Sequence, residues 1–125
     1  MRLLLDTQVL LWWLMAPKRL DARASNLISN GRNQALVSVV SLWEIEIKRQ
    51  LGKLKTPDDL EEQLRINRFE ELPVRAAHCR ALRELPPHHQ DPFDRMLVAQ
   101  ARNDDLTLVT ADANVLLYPV KTLET

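Results

Sequence analysis

Apolar residues along the chain fall into two kinds of run, short continuous blocks and longer stretches with helical spacing, and the two kinds alternate. "RLLLD" opens the chain as a continuous apolar block, the pattern of a strand buried on both faces. "TQVLLWWLMA" follows with helical spacing and stops before Pro17. "DARASNLISNGR" reads as a second helix, with Asp21 as N-cap and Asn30-Gly31 as its stop. "ALVSV" is the next buried strand, and "SLWEIEIKRQLGKL" a helix ended by Gly52. "TPDDLEEQLRIN" predicts a helix capped by Thr56, with Pro57 at its first position and acids in its first turn. "FEELPV" is a short strand, and "RAAHCRALREL" a helix stopped by Pro86-Pro87. "PFDRMLVAQARND" is a helix, "LTLVT" a strand, "ADANVLL" a helical turn and "VKTLE" a last strand.

Strand and helix alternating in this way predict an α/β fold, a parallel sheet with helices on both faces. With 125 residues there is room for one domain, taken as 1–125, and one core. In such sheets ligands bind beyond the carboxyl ends of the strands, where the strand order reverses. The reactive side chains to look for are therefore those that follow strands.

Composition narrows the chemistry. Two glycines exclude a Gly-rich phosphate loop. One cysteine, Cys79, excludes an internal disulfide, and its apolar neighbours suggest a core position. A reducing, cytoplasmic setting fits that cysteine usage. The opening "MRLLLDTQVLLWWLMA" is interrupted by Asp6 and lacks a small-residue cleavage pattern, so it reads as part of the fold. No window is long enough to span a bilayer, and no membrane association is expected. Net charge is zero, from 17 basic and 17 acidic residues. Basic residues cluster at 18–32, 48–55 and 65–83, a distribution compatible with a basic rim around an acidic centre.

Acids stand at the places the sheet rule singles out. Asp6 closes the first strand, where it either caps the next helix or serves a site; Thr7 beside it is a rival cap. Glu44 has capping-box spacing from Ser41, but Ser38 is an equally good cap, which would leave Glu44 in the second turn without capping duty. In "DPFD", Asp91 is placed as N-cap with Pro92 at the first helical position, and Asp94 sits at the third beside an apolar run. Asp112 follows "LTLVT" after one alanine and caps the turn or joins the other acids. Gathered at one sheet edge, Asp6, Glu44, Asp94 and Asp112 would repel one another unless a cation compensates. An oxygen-only donor set suits a hard divalent ion, Mg²⁺ or Mn²⁺. Such an ion polarises a phosphodiester and activates water.

"LLLDT", "VSVVSLWEIEIK", "LPPHHQDPFDRMLVAQA" and "LTLVTADANV" together resemble the PIN-domain ribonucleases, and most closely the VapC toxins of type II toxin–antitoxin pairs. The blocks come in the family's order and span nearly the whole chain. The resemblance implies an α/β/α sandwich around a parallel sheet of about four to five strands. It implies an Mg²⁺- or Mn²⁺-dependent endoribonuclease that cleaves RNA, pairs as a homodimer and is held inactive by a cognate antitoxin. Carried onto this chain, the family's acids fall on Asp6, Glu44, Asp94 and Asp112, with the first and third contacting metal most directly. Thr7, Ser38 and Thr110 match supporting polar positions, and Asp91 stays a cap.

Five further residues belong to the same picture. His88 and His89 enter the aspartate helix, either as a solvated loop or as residues that contact RNA phosphate or tune the nearby acids. Arg95 pairs with a carboxylate or a substrate phosphate. Adjacent Trp12 and Trp13 diverge by about 100° and cannot both face one core, so one is expected at a partner surface or a groove near Asp6. Two other classes compete. An aspartyl-phosphate enzyme needs a second acid two residues after Asp6 or a strand-end lysine, but position 8 is Gln and "LTLVTAD" has no lysine. A non-catalytic protein-binding module would use the acids as caps and the tryptophans as its interface.

Overall fold

β1 (Arg2–Leu5) runs through the middle of the sheet because Leu3, Leu4 and Leu5 have no exposed face to spare. The computed structural model describes residues 1–125, and in it five parallel strands lie in the order β3-β2-β1-β4-β5. β2 (Gln34–Ser38) and β3 (Glu70–Leu72) lie to one side of β1, and β4 (Thr107–Thr110) and β5 (Thr122–Glu124) to the other. The chain therefore builds outward in one direction and then returns across β1, placing the switch point between β1 and β4. The strand count and direction match the sequence-based expectation.

The continuous apolar runs divide by alternation between two cores. Leu3, Leu5, Val37 and Val109 face one layer, with Val9 and Leu10 of α1 (Thr7–Met15), Ala24 and Ile28 of α2 (Ala22–Ser29), Ile45 of α3 (Val39–Gln50) and Leu64 of α4 (Leu60–Ile66). Leu4, Leu36 and Leu108 face the other, against Leu97, Val98 and Ala101 of α6 (Pro92–Asn103). α5 (Ala76–Ala81) packs beside α6. No helix is long and apolar enough to cross a membrane.

Three local expectations are corrected. The strand read as "ALVSV" ends at Ser38, whose hydroxyl accepts from Val40 N at 3.1 Å and turns the chain into α3 one residue early. The helix expected from Thr56 begins only at Leu60. Arg49 of α3 donates to the Thr56 hydroxyl and, at 2.7 Å, to the Pro57 carbonyl, so the would-be cap is already engaged. Cys79 is exposed rather than in the core. The buried place on short α5 is taken by His78, whose Nδ1 accepts from Arg75 N at 2.9 Å and whose Nε2 meets Asp104 at 3.1 Å.

α3 ends as expected at Gly52, which has φ of +71°. A Cβ there would meet nothing within 4 Å, so the position demands glycine for conformation and not for space. Gly52→Ala is expected to lower the free energy of unfolding by about 1 kcal/mol in denaturant titration. Gly31→Ala, at an equally open position without positive φ, is expected to be neutral or slightly stabilising.

Candidate active site

Parallel register brings the first pieces of the site into one row. Leu5 pairs with Val37 on one side and Val109 on the other, so the next residue of each strand, Asp6, Ser38 and Thr110, stands level at the carboxyl edge. The Asp6 amide donates to Val109 O at 3.1 Å, extending that register by one step. Asp6, and not Thr7, caps α1, its Oδ1 accepting from Val9 N at 2.7 Å. Thr7 is left free for another task. Its hydroxyl donates to Glu44 Oε1 at 2.7 Å and lies 3.0 Å from Ser41 Oγ.

The cap at Ser38 pushes Glu44 into the second turn of α3, where it is buried without capping duty. Its Oε2 forms an ion pair with Lys48 at 2.8 Å. Thr110 Oγ1 accepts from the Asp112 amide at 3.0 Å, and Asp112 Oδ1 accepts from Asn114 N at 2.8 Å. Asp91 caps α6 by accepting from Phe93 N at 2.9 Å and Asp94 N at 3.1 Å. Asp94 lies in the first turn of α6, with His89 Nε2 at 3.4 Å from its Oδ2.

Asp6, Glu44, Asp94 and Asp112 all line one open cleft of ≈ 340 Å³, as do Thr7 and Asp91. Ser38 and Thr110 are fully buried behind it. The structural and functional roles of these acids therefore coexist: a cap fixes a carboxylate in place and leaves its charge there. The cleft lies at the switch point, as the sheet rule requires.

Crowding of like charges leaves its mark on two of the acids. Burial raises Asp6 to about 6, and the charges of Asp112 and Glu44 add to that rise against hydrogen bonds from Thr110 and Val9. Asp94 is raised to about 7, first by burial and then by Asp91, with Asp112 and Asp6 contributing and the His89 hydrogen bond opposing. Lys48 is shifted up, chiefly by its hydrogen bond to Glu44. The cleft thus carries five carboxyl groups against one ammonium, that of Lys48.

The donors are hard oxygens, which fits Mg²⁺ or Mn²⁺ in kind. No group of three or more His, Cys, Asp or Glu side chains is drawn into a metal-holding arrangement. An ion here would therefore be held by one or two carboxylates, with water completing its shell. Glu44 already has both oxygens engaged, so the cleft acids with an oxygen not so occupied are Asp6, Asp94, Asp112 and Asp91.

The neighbouring residues divide among the alternatives left open, and Arg95 follows none of them. His89 sits beside a site acid and not in a solvated loop: its Nδ1 lies 2.8 Å from the Tyr118 hydroxyl and its Nε2 faces Asp94. His88 is exposed, with its ring edge-on to Tyr118 at 4.9 Å. Arg95 meets neither a carboxylate nor the cleft, and donates instead to Pro86 O and Tyr118 Oη, both at 3.0 Å. Trp12 takes the groove position, lining the cleft with Arg19 over its ring at 5.6 Å. Trp13 turns to the protein, its Nε1 donating to Asn67 Oδ1 at 3.0 Å. Lys48 and the cleft-lining position of Asp91 were missed. The Glu44-to-Lys48 spacing of four was a readable signal for the first. Tyr118, 29 residues from His89, left none.

The family model for the PIN domain matches residues 3–120. This chain belongs to the PIN domain family. Its fold also matches chains of solved complexes. One is VapBC2 from Rickettsia felis bound to a DNA fragment from their promoter, at TM-score 0.73 and 20% identity, with 99% of this chain and 98% of that one covered. Another is DNA-bound VapBC from Salmonella typhimurium, at TM-score 0.69 and 15% identity, covering 99% and 98%. A third is FitAcB from Neisseria gonorrhoeae, at TM-score 0.66 and 19% identity, covering 98% and 96%. No curated protein matches the chain. At these identities the solved structures establish the fold of this PIN domain, and its chemistry rests on the cleft.

Because Asp94 is raised above its ordinary carboxylate value, the folded metal-free PIN domain holds that proton more tightly than the unfolded chain. The resulting stabilisation is complete below the unfolded value of about 3.8 and is lost as pH rises through about 7. Asp94→Asn removes the titrating group. In EDTA, its thermal midpoint relative to wild type is expected to improve from pH 5 to pH 7.5. A difference that stays constant, or moves the other way, contradicts the crowding.

Proposed function

We propose that this PIN domain is a metal-dependent endoribonuclease and the toxin of a type II toxin–antitoxin pair. The observation that carries the reading is the cleft itself: Asp6, Glu44, Asp94 and Asp112 arrive from separate parts of the chain at the switch point of a PIN fold. Asp6 and Asp94 would hold Mg²⁺ or Mn²⁺, whose chemistry is to polarise a phosphodiester oxygen and acidify water. Thr7 keeps Glu44 oriented through its hydroxyl, and Thr110 fixes the turn that carries Asp112. Asp112 lines the cleft and takes no part in the Glu44–Lys48 pair, and in this reading it would accept a proton from the attacking water. His89 holds the approach to Asp94 by bridging it to Tyr118.

The proposed partners are an RNA substrate, a cognate antitoxin and a second copy of the chain. A cleft dominated by carboxylates suits a basic antitoxin side chain as well as a metal ion. Trp43 on α3, 62% exposed and edge-on to Phe93 at 5.2 Å, offers apolar surface for a protein contact.

Purified protein incubated with RNA is expected to cleave it in Mg²⁺ or Mn²⁺ and to stop in EDTA. Asp6→Asn and Asp94→Asn are each expected to lower the rate by about a hundredfold or more. Full-rate cleavage by either variant overturns the assignment. A non-catalytic binding module would show no cleavage and no rise in thermal midpoint with Mn²⁺.

A further inference from the structure

Lys48 gives the cleft a cation of its own. It lies one turn beyond Glu44 on α3, and its Nζ meets Glu44 Oε2 at 2.8 Å. The pair is unequal: the Lys48 side chain is 48% exposed and that of Glu44 only 7%. Exposed pairs at this helical spacing contribute little. A pair with one partner buried behaves differently, because removing the lysine strands a carboxylate away from water.

No other basic side chain takes this place. Arg49 is engaged with Glu46, Thr56 and Pro57, and Arg95 with Pro86 and Tyr118. Arg19 lies over the Trp12 ring. Lys48 is the one basic residue lining the cleft, and the negative charges of Asp91 and Asp94 act on it from α6 as that of Glu44 does from α3. Thr7 takes the remaining oxygen of Glu44. Each oxygen of the carboxylate thus has one partner from the protein, a hydroxyl on one and an ammonium on the other.

We propose that Lys48 is an internal counter-ion that holds Glu44 in the metal-free cleft and competes with the divalent cation there. An incoming ion meets a positive charge already in the cleft, and its approach to Glu44 Oε2 competes with the ammonium there. Lys48 acts through Glu44 and is a positioning residue. Its role as counter-ion stands on the geometry alone; its competition with metal rests on the reading of the cleft as a metal site.

Two measurements separate these halves. The first is denaturant unfolding in EDTA at pH 7.5 of wild type, K48M, E44Q and the double variant. K48M is expected to unfold at lower denaturant, and E44Q in the K48M background to recover most of that loss. If the loss is the same with Glu or Gln at position 44, or a K48M chain that fails to fold is not restored by E44Q, Lys48 is not the counter-ion of Glu44.

The second is Mn²⁺ titration followed by the electron paramagnetic resonance signal of the free ion. K48M is expected to bind about tenfold more tightly than wild type, equivalent to about 1.4 kcal/mol. K48R, which keeps the charge, is expected to bind like wild type. K53M, which makes the same charge change at an exposed residue outside the cleft, is expected to leave affinity unchanged. Binding by K48M no tighter than by K53M overturns the competition. Binding by none of these proteins overturns the metal reading together with the competition, while the unfolding comparison in EDTA still decides the counter-ion.

Discussion

Like charges held together at one edge of a sheet are the constraint around which the rest of the molecule is arranged. Parallel pairing of β1 with both β2 and β4 leaves no choice about where Asp6 goes, because its neighbours in the row, Ser38 and Thr110, are set by the same ladders. Two full layers of apolar side chains clamp those ladders. α6 then presents its amino-terminal turn, with Asp91 and Asp94, to the same cleft. Carboxylates that would separate in a flexible chain cannot do so here. Burial first, and their mutual repulsion after it, raises the proton affinity of Asp6 and Asp94.

Local hydrogen bonding makes that concentration of charge tolerable. Asp6, Asp91 and Asp112 each accept a backbone amide, so part of the cost of burying or crowding them is offset by donors the chain must satisfy anyway. Glu44 has no such amide and is supported instead by Thr7 and Lys48. These supports all come from the chain itself and do not depend on a bound ion. The same arrangement explains why the acids stand apart as individually anchored groups rather than as a closed shell of ligands.

Much of this was legible in the amino-acid sequence because it depends on local pattern. Continuous apolar blocks followed by acids located β1, β2 and β4 and the edge they share, and "DPFD" identified both a cap and a second acid one turn on. The ordered motifs pointed to the PIN family before any coordinates. What stayed hidden depends on contacts between distant residues. Arg49 delays α4 by engaging Thr56, which no helix propensity records. His89 reads as a loop residue until Tyr118 arrives beside it from the far end of the chain. Cys79 yields its anticipated core place to His78 because Asp104, at the end of α6, supplies a partner for the imidazole. Lys48 was different: its spacing from Glu44 was visible, but an exposed helical pair and a counter-ion for a buried carboxylate look the same until burial is known.

The most direct test of the account is where a divalent ion binds. Crystals soaked in Mn²⁺ and measured at its absorption edge would locate the metal by anomalous scattering, independent of any activity. The account requires a peak in the cleft, in direct contact with carboxylate oxygens of Asp6 and Asp94. A cleft without such a peak, in crystals where Mn²⁺ occupies exposed acids elsewhere on the protein, would contradict it.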